Sequence, residues 1–386
     1  MRIVHVTPFY HPVIGGAENV VKQICEYLVR QGFDVYAITY NRLRNGGIGK
    51  LPPEEEINGV KVVRLRPKLV HSHGSLSPEL PKVIEKLQPD IVHVHVWRHP
   101  HVFQVAKLKR RLNFRAILHL HDPFYSIRQV GVATHLYYLV VDLSLRRVLH
   151  RYDAVVTLTP LGKHVARKKF RVPQNRVVTI PPTLEDYVFY KALHLKPRPR
   201  PPGKEDVTYI VSVGRVSREK KFEMLVKTMA LLRERRRCGI KTYIVGLIND
   251  FAPVKLAQRL GLLNKQVIFM GKVSEEAKLS LYSRGHIYVH TSPYEGFGIA
   301  LIEAQAFALP CVITGLGGQL FAAPPGVSSL RVSLDPEGIA RAIVKLIDNT
   351  RLWNLLSSGA RRVASRYLAS RILPRYKKLY EQILHR

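Results

Sequence analysis

Residues 196–203 read Lys-Pro-Arg-Pro-Arg-Pro-Pro-Gly, a run that can continue neither a helix nor a central strand. Each proline lacks a backbone N–H and fixes φ at about −65°, so the segment reads as an extended linker. On both sides of it short β-type apolar runs alternate with segments of helical period. A chain of 386 residues, too long for one ordinary core, is therefore expected to build two α/β domains. The first opens with a strand at Ile3–Thr7, a loop at Pro8–Gly16, a helix at Ala17–Gln31 closed by Gly32, and a strand at Phe33–Thr39. That βαβ unit begins a doubly wound parallel sheet. Further strands are expected at Val60–Leu65, Ile91–Val96, Ala116–Leu120, Ala154–Leu158 and Val177–Ile180. After the linker come a strand at Tyr209–Val213, a helix at Glu219–Arg233, strands at Thr242–Val245 and Val267–Met270, a helix at Ser274–Ser283 and a strand at Ile287–His290. A last strand, Pro310–Ile313, leads into Gly315-Leu316-Gly317-Gly318, and helices near Pro336–Asp348 and Arg351–Leu384 close the chain. The expected division is 1–190, a linker at 191–205, a second domain at 206–365 and a C-terminal helix at 366–386.

Lys plus Arg number 61 against 28 Asp plus Glu, a net charge of +33 spread along the chain. Such a field favours anionic partners: nucleotide phosphates, nucleic acid or an acidic membrane surface. Cys25, Cys238 and Cys311 form no CxxC pair, which fits a reducing compartment and excludes a disulfide framework. The chain runs directly into Arg2–Val6 without an apolar leader, and no stretch reaches 18 uncharged apolar residues. A cytoplasmic protein with at most peripheral membrane contact is expected.

The clearest chemical signal is the stretch 292–304, Ser-Pro-Tyr-Glu-Gly-Phe-Gly-Ile-Ala-Leu-Ile-Glu-Ala. It places Glu295 on a loop and Glu303 in the second turn of a helix. Backbone N–H groups at Gly296, Phe297 and Gly298 then sit at the helix start, where an anionic group docks favourably. Such a pattern suits a phosphorylated ligand whose hydroxyls the carboxylates hold, or a plain strand–turn–helix with two solvated glutamates. Gly15-Gly16-Ala17-Glu18 is not GxGxxG, yet Gly15 and Gly16 allow close backbone approach to a ligand. In Gly214–Lys221, Arg215 and Lys220 fall at a strand's carboxyl end, where open α/β sheets bind ligands; Arg forks two phosphate oxygens and Lys acts as a point charge. Histidines recur at two-residue spacing (71/73, 93/95, 99/101, 119/121) and share strand faces. No CxxC or HExxH set accompanies them, so no metal is expected. His121, followed by Asp122-Pro123, ends a strand and is placed either to hydrogen-bond a substrate hydroxyl or to cap the loop. Walker A, GxSxG and Asp-x-Asp signals are absent, so a departing diphosphate must rely on Arg215, Lys220 and helix N-termini.

Together, Gly15-Gly16-Ala17-Glu18, His119-Leu120-His121-Asp122, Gly214-Arg215 with Lys220, and Glu295 spaced from Glu303 resemble the retaining GT-B glycosyltransferases of the glycogen-synthase-like group, family 4 or group 1. The resemblance spans nearly the whole chain. It implies two Rossmann-like domains facing across a cleft, with a C-terminal helix crossing back to the N-terminal acceptor domain. It also implies that a hexose passes from a UDP- or GDP-sugar to a hydroxyl acceptor, lipid-linked or a glycan, with configuration retained and no metal or other cofactor required. By matching position, Arg215 and Lys220 bind the donor diphosphate with the Gly16 N–H, Glu303 holds the ribose, Glu295 contacts the transferred sugar, and His121 sits beside it. Three departures stand out. Ile180–Glu185 replaces the usual Pro-Asn-Gly-Val-Asp, Lys221 stands where glycine usually follows the lysine, and Gln319-Leu320 replaces Pro-Glu after Gly317-Gly318. Two other classes are weighed beside this: a GT-B-shaped sugar-nucleotide epimerase or hydrolase, and a basic nucleic-acid binder. The latter lacks every RNP, zinc-finger or helix-turn-helix signature, so no nucleic acid is expected. Basic runs at 107–115 and 163–171 beside apolar Val132–Leu145 point instead to peripheral contact with anionic lipid.

Overall fold

The computed structural model describes residues 1–13, 15–44, 46–71, 74–121, 132–195, 207–235 and 239–385. His73, Asp122, Pro123, Cys238 and most of the expected linker lie outside them. Two compact units result: Met1–Pro182 with Ser370–Arg386, and Thr183–Ala369.

The first unit contains β1 (Arg2–Val6), β2 (Asp34–Tyr40), β3 (Glu54–Ile57), β4 (Val60–Leu65), β5 (Ile91–His95), β6 (Arg115–His119), β7 (Ala154–Thr157) and β8 (Val177–Thr179). They form one sheet in the order β8-β7-β6-β5-β1-β2-β4-β3. All neighbours are parallel except β3 and β4. β5 is buried at every position, as a parallel strand covered on both faces must be. β3, three consecutive glutamates and an isoleucine, escapes an apolar-run search because it is a half-exposed edge strand. Its hairpin partner is joined through Asn58-Gly59, both with positive φ, the signature of a two-residue turn. Helix Gly16–Arg30 buries Val20, Val21, Ile24, Cys25 and Leu28. The helix Pro374–Leu384 also belongs to this unit and buries Tyr376, Leu379, Tyr380 and Ile383.

The second unit contains β9 (Thr208–Val213), β10 (Ile240–Val245), β11 (Val267–Gly271), β12 (Ile287–His290), β13 (Cys311–Ile313) and β14 (Ser329–Arg331). The order is β11-β10-β9-β12-β13-β14, parallel throughout. β13 is thus not the last strand, as expected from sequence; the three-residue β14 completes the edge. The units divide at Pro182–Thr183, ahead of the expected 190, because helix Asp186–His194 buries Val188, Phe189 and Ala192 and packs on helix Ile299–Ala306. The expected helix at 219–233 is interrupted. A 3-10 turn at Arg218–Lys220 ends at Lys221, whose φ of 55° is left-handed, before helix Phe222–Glu234 begins. The terminal segment is likewise broken, into Thr350–Ala364, Ala369–Ile372 and Pro374–Leu384. Among the described residues no helix is long and apolar enough to cross a membrane.

Candidate active site

In the second unit the carboxyl ends of β9 and β12 present charged groups. The Lys220 ammonium is ion-paired with Glu295 Oε1, and His290 Nε2–H donates to the same oxygen at 3.0 Å. Thr291 fastens the turn by donating to the Lys220 carbonyl at 2.7 Å. Burial by itself would raise the Glu295 pKa, but the Lys220 charge and the His290 hydrogen bond outweigh it and hold the carboxyl well below the usual range. Glu295 is therefore a fixed anion. The side chain of Arg215, half-buried just after β9, forms no hydrogen bond or ion pair with the described residues. Its guanidinium stays available for two anionic oxygens. A unit charge about 4 Å from such an oxygen contributes up to about 4 kcal/mol at an effective dielectric near 20.

Helix Ile299–Ala306 starts at Gly298, whose φ of 104° lies where only glycine fits without strain. Phe297 contributes backbone alone, since its ring is buried edge-on against Tyr367 at 5.1 Å. The Glu295 loop is seated by a parallel pairing of Tyr294 and Glu295 with Leu316 and Gly317. Gln319, one of the departures from the family pattern, reinforces this loop by donating to the Ser292 and Leu316 carbonyls at 3.1 Å each.

Glu303, from the helix interior, accepts from Lys278 Nζ and the Tyr282 hydroxyl, both at 3.1 Å. Desolvation is the largest influence and raises its pKa; Lys278 opposes it. Lys278 and Tyr282 stand four residues apart on helix Glu275–Arg284, one face aimed at Glu303. The structure thus places Glu295 with Lys220 and Glu303 with Lys278. His290, Lys278 and Tyr282 were not singled out from sequence. His290 had a readable signal, being the last residue of a buried strand, whereas Lys278 looked like any solvated lysine.

In the first unit Gly15 precedes helix Gly16–Arg30. A Cβ at Gly15 would lie 2.1 Å from Glu18 Oε2 and 2.8 Å from Arg44 Nη2, so any other residue there would push the ends of the Glu18–Arg44 ion pair aside. Arg44 also lies over the Phe9 ring at 4.8 Å. Two of the histidine pairs, 93/95 and 119/121, gather with His5 towards the carboxyl ends of β5, β6 and β1. His5–His93–His95 and His95–His119–His121 each bring ring nitrogens within 4.8 Å of one another. In the second of these triads His119 lies flat on His121 at 4.1 Å and 18°, a poor geometry for joint ligation because lone pairs in parallel ring planes do not converge. His93 Nδ1 is hydrogen-bonded to the Tyr380 hydroxyl at 2.5 Å. His121 is buried with a φ of 58°.

Residues 14–185 match the family model described as Glycosyltransferase Family 4, and residues 196–363 match Glycosyl transferases group 1. The chain belongs to this family and is a glycosyltransferase. An uncharacterized glycosyltransferase of Methanocaldococcus jannaschii is 27% identical over 379 residues, 94% of this chain and 93% of its own length. Sucrose-phosphate synthase from Thermosynechococcus elongatus is similar in structure with a TM-score of 0.78 at 21% identity, over 100% of this chain and 99% of that one. HepE from Anabaena, solved with UDP and glucose, has a TM-score of 0.74 at 17% identity, over 98% and 99% of the two chains. The fold is that of the GT-B glycosyltransferases.

Proposed function

We propose that the chain is a retaining hexosyltransferase that takes its sugar from a UDP- or GDP-sugar and passes it to a hydroxyl acceptor without a bound metal. The observation that carries this reading is the Lys220–Glu295–His290 cluster, with an Arg215 unpaired among the described residues, at the ends of β9 and β12. Arg215 and Lys220 neutralise the diphosphate as it departs, helped by the N–H groups of Gly296–Gly298 and of Gly16. Glu303, fixed by Lys278 and Tyr282, accepts from the ribose hydroxyls. Glu295 accepts from hydroxyls of the transferred sugar, and His121 lies beside that sugar. The bond from the anomeric carbon to phosphate oxygen breaks, the acceptor oxygen bonds to the same face, and its proton passes to the departing phosphate. Two solved relatives of the fold carry names or ligands of this donor class, sucrose-phosphate synthase and HepE with UDP and glucose.

The test is product analysis with UDP- and GDP-hexoses and mixed hydroxyl acceptors, reading anomeric configuration by NMR with and without chelator. Transfer with retained configuration and no chelator effect is expected. An epimerised or hydrolysed donor formed without acceptor would favour the sugar-nucleotide isomerase or hydrolase reading instead.

We further propose a lipid-linked acceptor met at the cytoplasmic face of a membrane. Helix Val132–Val148 exposes Leu136, Tyr137, Leu139, Val140 and Leu143, with Arg146 and Arg147 in its last turn. Its single acid, Asp142, is buried and neutralised by Arg98 and Lys169. An apolar face flanked by cations suits an anionic bilayer surface. Flotation with phosphatidylglycerol vesicles checks it: binding should weaken when Leu139 and Val140 become Glu, and absence of binding at moderate salt would refute it.

A further inference from the structure

Three buried imidazoles of the first unit form a hydrogen-bonded chain. His5 Nδ1 lies 2.9 Å from His95 Nε2, and His95 Nδ1 lies 3.1 Å from His121 Nε2. Burial drives all three pKa values down, those of His5 and His121 to about 3, so the rings are neutral at physiological pH. A neutral imidazole has one N–H and one acceptor nitrogen. Both nitrogens of His95 are engaged, so the two hydrogen bonds must run the same way along the chain. The proton position on His121 is thereby tied to the one on His5, two strands away in the same sheet.

The direction is decided at His5. Its remaining nitrogen, Nε2, is fully buried and has no partner among the described residues. Running the chain from His121 to His5 would place a proton on that nitrogen and bury an N–H with no acceptor, which folded proteins rarely tolerate. Running it from His5 leaves only a lone pair there. His5 Nδ1–H then donates to His95, His95 Nδ1–H donates to His121 Nε2, and His121 carries its own proton on Nδ1. Among the described residues no hydrogen bond uses that nitrogen. The left-handed backbone of His121, 58° in φ, and the stack on His119 leave the ring little freedom to turn.

Resting on the transferase reading above, we propose that His5 and His95 are positioning residues that fix His121 in the Nδ1–H tautomer, so that it donates a hydrogen bond to an oxygen of the transferred sugar. The His93–Tyr380 pair and His119 pack beside this chain without joining it.

Nitrogen-15 spectra of histidine-labelled protein read the tautomer directly, with His121 assigned by loss of its signals in His121→Phe. The expected result is a protonated Nδ1 and a bare Nε2 at His121 in the wild type. In His5→Leu, which removes the donor but keeps an apolar side chain of similar size, the His121 signals should move towards the other tautomer. Its kcat should fall at least about tenfold while KM for the nucleotide sugar holds, as expected when an imidazole beside the reacting atoms is left in the wrong tautomer. His5→Asn, whose amide N–H can take the place of Nδ1–H, should restore both. A protonated Nε2 at His121 in the wild type overturns the proposal, as does a folded His5→Leu protein with unchanged spectrum and unchanged kcat. The spectra are read on the free protein. If they behave as expected but no nucleotide sugar is ever turned over, it is the transferase reading that falls.

Discussion

The two units place buried polar groups at the ends of their strands in opposite ways. The second unit uses charge: Lys220 against Glu295, and Lys278 against Glu303. The first uses neutral rings, with His5, His93, His95 and His119 all wholly buried and their pKa values lowered, first of all by desolvation. Fixed ions stabilise developing charge on a phosphate, whereas neutral donors fix geometry without competing for it. On the proposed function, the difference fits a second unit whose fixed charges meet the donor and a first unit whose neutral rings set the orientation of His121.

The sharpest way to break this contrast is Lys220→Ala. It should lower kcat about 10²–10³-fold, the usual cost of losing one charge-stabilising donor. Adding Glu295→Gln should recover stability, since it removes the stranded anion, but not turnover. Steady-state kinetics with thermal melts check both, and unchanged turnover in Lys220→Ala would end the assignment.

Acid should separate the units next. A buried histidine whose pKa drops from 6.5 to about 3 on folding lets the unfolded chain take up protons first as pH falls. Its stability contribution is complete above about 6.5 and drains below it, by about 1.4 kcal/mol per pH unit for each ring. Glu295, with a depressed pKa, behaves otherwise: its contribution is present above the ordinary 4.5 and is lost only as pH falls below that. At pH 5 hydrogen exchange, corrected for intrinsic rates, should show β1, β5 and β6 opening while the Glu295 loop stays protected. Equal protection would contradict the scheme.

A smaller effect is expected at His119, both of whose ring nitrogens are buried without a partner among the described residues. His119→Phe should be neutral or stabilising by about 1 kcal/mol, a rise in Tm of roughly 2–4 °C. Smallest of all is Lys221→Gly, which relieves a left-handed lysine at φ 55° but loosens the unfolded chain, for a net gain of about 0.5 kcal/mol or less.

Much of this was legible beforehand. The strand–turn–helix alternation, the loop carrying Glu295 and the helix carrying Glu303 follow from apolar period and glycine punctuation, which are local. The partners were not legible, because Lys220 meets Glu295 across 75 positions and Lys278 meets Glu303 across 25. The left-handed Lys221 did leave a trace in the sequence, since it stands where the family usually has a glycine, and its φ supplies the reason for that preference. The unit boundary was misplaced because helix Asp186–His194 has one buried stripe and no sequence mark saying which unit that stripe faces.

The helix Pro374–Leu384 has a further consequence for how the chain is made. Tyr380, which holds His93, is separated from it by 287 positions. During synthesis the first unit's strands emerge long before the helix that covers its histidines, while Thr183–Ala369 is continuous and complete earlier. The second unit should therefore reach its native state on the ribosome first, and the segment made earliest should be among the last to finish.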